Sequence, residues 1–502
     1  MRQQRRSVGR CAARHRAAQQ YGAPRRGTLA RGSDGVSRQP RVAVIGAGIS
    51  GLTAAYRLQR SCDVTVFEAS DRIGGQIQTE ERGGLLLEWG PDSLVAHKPA
   101  GELLCRELGL GDRLLPLQSG GARMQVVFDG RLHQVPEGFL MIAPTRLAPL
   151  LTTPLLSPAG LLRAAFERFV PARHETEDES VQCFVTRRWG RELYERIAEP
   201  VLGGLFSADA SRLSAQACIS RMHGLESEYG SIAKGLKKML AAQRESNRPR
   251  AVVYGLDGGM GVLVDELAAQ LPEGALRTRT VVRSLRPCGT RWRVEIDSGE
   301  CFEADAVLLA CPAFAAARLL SDVDPAFAAE LDALEYVSCA TVNLLYDASA
   351  VGTRLRGFGF FVARSEGSPL LACNYTSLKF KGRAPQGCVM LRAFLGGAGR
   401  ETLDGIDNGE LTRIAHESLV PLLNLRGAPR FGRARAFRNA MPHPVVGIAA
   451  RRERLAAGLP NLALCGTACG AVGLPDCIES AEKAAQRLAA VIKCSEGFEQ
   501  AG

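Results

Sequence analysis

With 502 residues, 46% of them hydrophobic and 23% charged, the chain is long enough for two or three domains of the usual ~100–200 residues and apolar enough for a large core. Its net charge of +11 is concentrated at the start. Residues 1–40 carry ten arginines against one acid, Asp34, so the rest is nearly balanced and a basic nucleic-acid-binding body is excluded. The fifteen scattered cysteines include no CxxC pair, and the seven histidines are isolated. That pattern argues against a secreted disulfide framework and against a metal centre, and favours a reducing compartment.

In chain order, residues 1–40 lack hydrophobic periodicity and the apolar stretch of a secretory signal. They read as an unstructured Arg-rich extension, with an organelle transit peptide the less favoured alternative. Residues 41–45 (RVAVI) predict a buried parallel strand, 50–60 a helix and 63–67 a second strand. Leu/Ala periodicity in 100–108, 159–170 and 181–198 predicts a mostly helical stretch over 96–250, in which the acidic run 175–179 is a solvated helix entrance. Residues 147–162 are uncharged, but Pro149, Pro154 and Pro158 interrupt them, so they cannot form a spanning helix. They read as a buried or channel-lining segment, with a monotopic surface dipping into one leaflet as the competing idea.

Residues 252–310 return to α/β character. Trp292, Val294 and Ile296 alternate as on a half-buried strand, and 306–310 run apolar like a central one. Residues 331–440 mix strands with Gly/Pro turns and predict a second sheet. The stretch 461–493 predicts a strand, a Gly-rich turn and a closing helix from near Asp476.

Gly46, Gly48 and Gly51 follow the first strand and open the first helix. In that context Gly46 permits the tight turn, Gly48 lets backbone approach a pyrophosphate, and Gly51 lets helix pack on strand. The phosphates would meet free N–H groups at the positive end of the helix. Glu68, at the end of the second strand, suits the ribose hydroxyls and disfavours a 2′-phosphate, leaving FAD or NAD. Three further segments select FAD: Asp71 to Gly75, Glu88 to Ser93, and a distant strand–Gly–helix unit through Gly466, Val472, Gly473 and Leu474. An extended FAD clamped between the two ends of the chain uses such a unit; NAD does not need one.

The stretches VAVIGAGISGLTAAYRL, FEASDRIGGQIQT, EWGPDS and CGTACGAVGLPDCIESAEKAA resemble the flavin amine oxidase superfamily. Within it the chain is similar to the oxygen-dependent protoporphyrinogen/coproporphyrinogen oxidases, through residues 178–190, 199–209, Leu213-Ser214, Gly357 to Gly359, Arg383 to Pro385 and Asn439 to Pro442. The resemblance covers roughly 41–492. It implies an α/β fold with a discontinuous Rossmann-type FAD-binding domain (41–95, 251–330 and 445–495). It also implies a helical, membrane-associating subdomain (96–250) and a mixed α+β substrate domain (331–444, with parts of 96–140).

By position the resemblance places FAD contacts on Gly46, Ala47, Gly48, Ile49, Ser50, Gly51, Glu68, Ala69, Arg72, Gly75 and Gln76. They continue with Gly90, Pro91, Asp92, Ser93, Val282, Val472, Gly473 and Leu474. Phe437, Pro444 and Val445 depart from the family's aromatic pattern. Cys469 is followed by Gly470, without the aromatic neighbour of a covalent flavin cysteine, so noncovalent FAD is expected. For a tetrapyrrole substrate, Arg123 is implied as propionate anchor, with Phe361 and Tyr375 sandwiching the macrocycle.

The implied reaction is a six-electron oxidation of a porphyrinogen, with O2 as final acceptor and H2O2 released, in heme biosynthesis. No acid–base residue is assigned, because aromatisation drives the chemistry. Protoporphyrinogen IX and coproporphyrinogen III stay open as substrates, as do peripheral membrane contact and a homodimer. The competing readings are another superfamily oxidoreductase, such as an amine oxidase or carotenoid desaturase, and a non-catalytic FAD-holding protein.

Overall fold

The computed structural model describes residues 38–118, 124–146, 148–173, 177–245, 253–398 and 403–499. Nearly all of the 1–40 extension, part of the 175–179 acidic run and Arg123 lie outside them. A five-stranded, all-parallel sheet carries the first motif, in the order Leu276–Arg277, Asp63–Phe67, Arg41–Ile45, Ala306–Leu309 and Leu462–Leu464. Two of its inner strands read as near-continuous apolar runs, residues 42–45 and 306–309, because both faces are covered. Val42, Val44, Val64 and Val66 pack against the helices Ile49–Leu58, Gly261–Ala269 and Leu474–Glu499. Ala43, Ile45, Val307 and Leu309 pack against Ala313–Leu320 and the antiparallel meander Val282–Cys288, Arg291–Ile296 and Cys301–Ala304. Trp292, Val294 and Ile296 are all buried there, as their alternation predicts. The closing helix begins at Leu474, two residues before the expected Asp476.

The second sheet has seven strands, in the order Phe431–Pro442, Tyr336–Asp347, Cys388–Gly396, Leu370–Tyr375, Gly359–Val362, Gln125–Phe128 and Arg131–Gln134. One face is apolar: Val342, Leu344, Leu391 and Tyr375 pack on Leu411, Ala415, Leu419 and Leu423 of the helix Asn408–Leu423. The opposite face carries polar side chains in register, where Arg433 pairs with Asn343, Asn343 with Arg392, and Arg392 with Asn374. A sheet needs only one dry face for stability, so the second face is free for function.

The helical layer differs from its expected form. Strands Leu114–Pro116, Gln125–Phe128 and Arg131–Gln134 precede it. The 159–170 stretch divides into the helix Pro158–Ala165 and a 3-10 turn, Phe166–Phe169. The 181–198 stretch breaks at Gly190, whose φ of +99° no side chain adopts comfortably, and resumes through a π turn, Tyr194–Ala198. Arg188, wholly buried, anchors this layer by pairing with Glu167 and with Glu226 at 3.3 Å. Among the described residues no helix is long and apolar enough to cross a membrane. Leu151, Leu162, Phe166 and Phe169 are nevertheless exposed on this layer, Leu151 by 74%.

Candidate active site

The first glycine turn has the geometry that a dinucleotide cradle requires. Gly46 has φ +103° and donates its N–H to the Phe67 carbonyl at 2.8 Å, which ties the turn to the second strand. A Cβ at Gly51 would lie 1.8 Å from the Gly46 carbonyl oxygen, so helix and strand approach this closely only through glycine. A Cβ on Gly48 would meet only the Gly75 Cα, at 3.9 Å, and no side chain caps the helix Ile49–Leu58. That uncapped start, over a backbone without Cβ, fits a pyrophosphate. Glu68 accepts from the Ala47 N–H at 2.8 Å and from Ser70 through its N–H and hydroxyl at 2.9 and 2.7 Å. The carboxylate thus braces the glycine turn, and its remaining lone pairs can meet ribose hydroxyls. Ala69 follows it in the chain, and Thr280 donates its N–H to the Glu68 carbonyl at 2.9 Å, which brings the strand that starts at Val282 to the same edge.

The later motifs converge on this cradle. Gly74 donates its N–H to the Ala47 carbonyl at 2.8 Å. Arg72 curls over its own loop and donates to the carbonyls of Gly75, Ile73 and Ile77. The Gln76 side chain reaches the Ala440 carbonyl on the second sheet. From the far end of the chain, the Ser50 hydroxyl donates to the Cys477 carbonyl at 3.2 Å. A Cβ on Gly466 would lie 2.3 Å from the Ser50 Oγ. Val472 and Gly473 lead into the helix that Leu474 opens. The Cys469 thiol donates to the Gly466 carbonyl and lies 3.1 Å from the Ser480 hydroxyl.

Segment 89–93 joins the two sheets. A Cβ on Gly90 would stand 1.8 Å from the Gln76 carbonyl oxygen. Arg392 donates to the carbonyls of Trp89 and Gly90, and the Asn343 amide to the Glu88 carbonyl at 3.3 Å. Beyond Pro91, Asp92 is buried between Lys379 at 2.8 Å and Arg392 at 3.5 Å, and Lys379 also donates to Ser93 at 3.1 Å. Burial alone would raise the Asp92 carboxyl, but Lys379 and Arg392 outweigh it and hold it well below the usual carboxylate range. Glu88, 0% exposed, accepts from the Met260 N–H at 2.7 Å and the Thr79 hydroxyl at 2.8 Å. Burial nevertheless pushes its pKa up to about 7. Lys379 and Arg392 thus pair with Asp92, while Arg383 and Arg392 act on Glu88 through their charge alone, in one buried cluster. The EWGPDS segment supplies Glu88 and Asp92 together, of which only Asp92 is an expected contact; Lys379, Arg383 and Arg392 carry no expected site role, because no local pattern links them to that segment.

The expected aromatic pair is not brought together. Phe361 packs with the helical layer, where a Cβ on Gly204 would touch its ring at 2.3 Å. Tyr375 is 0% exposed, in the core on the other face, beside Phe360 and 3.4 Å from Gln125. Phe361 pairs with Ala372 while Phe360 pairs with Cys373, and strand alternation therefore points Phe361 and Tyr375 to opposite faces. Two rings on opposite faces cannot sandwich one macrocycle. His443, 2% exposed, lies 3.5 Å from the Glu335 carboxylate at the end of strand Phe431–Pro442. Burial lowers its pKa, and no sequence pattern marked this pair.

The sequence signature of the family described as flavin containing amine oxidoreductase matches residues 49–489. The chain is 32% identical to the coproporphyrinogen III oxidase of Bacillus subtilis (strain 168), over 90% of this chain and 98% of that protein. It is 28% identical to protoporphyrinogen oxidase 1, chloroplastic, of Arabidopsis thaliana, over 90% and 89%. A solved structure from Exiguobacterium sp. 255-15, provisionally named a protoporphyrinogen oxidase, superposes with a TM-score of 0.79 at 28% identity, covering 90% of this chain and 98% of that one. The cyclohexylamine oxidase of Brevibacterium oxydans IH-35A shares the fold, with a TM-score of 0.66 at 18% identity over 91% and 100%.

Proposed function

Because the chain belongs to the flavin containing amine oxidoreductase family, we propose that it oxidises a porphyrinogen to the porphyrin in heme biosynthesis, with coproporphyrinogen III the preferred substrate. The observation that carries the reading is the end-to-end match to relatives named coproporphyrinogen III oxidase, at 30–32% identity and over 93–99% of their length. The overall change removes six electrons and six protons from the tetrapyrrole, with three O2 reduced to three H2O2. FAD, held without a covalent bond, supplies the two-electron acceptor for each of the three steps.

The chain's own residues hold and orient. Gly46, Gly48, Gly51 and Glu68 form the nucleotide cradle, and segment 466–474 closes it. Lys379, Asp92 and Arg392 fix segment 89–93 against the polar sheet face, so that face and cradle keep one spacing. Substrate would lie on this face, which is polar where its opposite is dry. Phe361 remains a candidate wall and Arg123 a candidate carboxylate anchor, while Tyr375 supports the sheet from behind. The portions 41–95, 251–330 and 445–495 would serve the cofactor and 331–444 the substrate. On the helical layer, the exposed Leu151, Leu162, Phe166 and Phe169 form a surface for peripheral membrane contact.

The test uses purified yellow protein in air. Coproporphyrinogen III should become fluorescent porphyrin with matched oxygen uptake, faster than protoporphyrinogen IX. Amines that reduce the flavin while porphyrinogens do not would overturn the reading in favour of an amine oxidase.

A further inference from the structure

On the edge strand Phe431–Pro442, Arg433 pairs in register with Asn343 and Arg435 with Thr341, so both arginines point to the polar face. Arg433 is already engaged: it meets the Glu80 carboxylate at 2.7 Å and lies over the Trp89 ring. Glu80 is also spent, since its other oxygen accepts from the Trp89 indole at 3.1 Å and Arg82 stands 3.9 Å away. Arg72 is turned onto the carbonyls of its own loop. Arg435 is half-buried, backed by the Phe437 ring at 5.5 Å, and among the described residues it meets no carboxylate within ion-pair distance. Burial and the nearby charges of Arg72 and Arg433 lower its pKa, against the opposing pull of Glu80.

A guanidinium partly withdrawn from water and set among like charges destabilises the empty protein. The same arrangement becomes favourable when an anion enters. A guanidinium backed by a ring presents its flat fork outward, which matches a carboxylate. Position supports the same ligand, because the Gln76 side chain ties the cofactor loop to this strand at the Ala440 carbonyl. We propose that Arg435, two positions from Arg433 on the edge of the polar sheet face, anchors a carboxylate arm of the substrate. The inference rests on the porphyrinogen reading. It deepens that reading by giving coproporphyrinogen III, with four carboxylates against two in protoporphyrinogen IX, an added cationic contact.

The test is equilibrium binding to the FAD-loaded protein, with coproporphyrin III and its uncharged tetramethyl ester as probes. Arg435→Gln should weaken the acid about tenfold or more and leave the ester unchanged, while Arg435→Lys should retain part of the affinity. Three results would overturn the assignment: unchanged affinity for the acid, equal weakening of acid and ester, or loss of FAD from Arg435→Gln, which would make the cofactor's phosphate the anion. If the wild-type protein binds neither porphyrin, the porphyrinogen reading itself fails, and this outcome is distinct from the other three.

Discussion

Replacing Glu88 by Gln should change how the protein's stability responds to pH. Glu88 is wholly buried, and its two short hydrogen bonds and the attraction of Arg383 and Arg392 do not offset the cost of burying its charge. Its pKa therefore lies at about 7 in the folded protein against an ordinary 4.5. Between those values the folded chain keeps a proton that the unfolded chain has released. Stability from this group consequently falls as pH rises through the window, and the loss is complete above about pH 7. At ~1.4 kcal/mol per pH unit the gap amounts to ~3 kcal/mol. Gln keeps an acceptor for Met260 and carries no charge to bury. Unfolding free energies from urea titrations of the FAD-loaded wild type and Glu88→Gln, taken from pH 5 to 8.5, should diverge in the variant's favour by ~2.5 kcal/mol as pH rises. Parallel curves would rule this out, because they would mean that Arg383 and Arg392 already keep Glu88 ionised at pH 5.

Asp92→Asn should cost about 3–5 kcal/mol in unfolding free energy, since it strands Lys379 and Arg392 in the interior; Lys379→Met should cost less, because Arg392 still faces Asp92. The depressed Asp92 carboxyl contributes stability at neutral pH that is lost as pH falls below the ordinary carboxylate range. Gly90→Ala should yield colourless or insoluble protein, because its Cβ would collide with the Gln76 carbonyl. Gly109→Ala, at φ +76° with nothing within 4 Å, should cost only about 1 kcal/mol and stay yellow. Flotation with anionic lipid vesicles should be reduced by Leu162→Asp combined with Phe166→Asp; unchanged flotation would remove this patch as a membrane contact.

What the sequence disclosed was local. Gly46, Gly48 and Gly51 announce a turn because spacing and glycine's freedom act within six residues, and Trp292, Val294 and Ile296 declare their buried side through strict alternation. The break at Gly190 was hidden, because Leu/Ala periodicity continues on both sides and only the observed φ interrupts it. The second sheet was expected, but not which of its faces would be dry. That is decided by the helix Asn408–Leu423, which covers Tyr375 and leaves Arg392 and Asn343 facing segment 89–93. The ionic cluster was equally illegible. Lys379 and Asp92 meet across 287 positions, and a pairing at that range exists only after segment 89–93 packs against the second sheet.

The parallel sheet carries a consequence for biosynthesis. Ser50 bonds to Cys477 across 427 positions, and strand Leu462–Leu464 completes a sheet whose central strand, Arg41–Ile45, leaves the ribosome far earlier. The first glycine turn is therefore translated early and must wait, with one flank bare, for almost the whole remaining polypeptide to emerge. Cofactor capture at this turn would then be a late event, and a nascent chain halted before residue 462 would expose apolar strand surface to neighbours and chaperones.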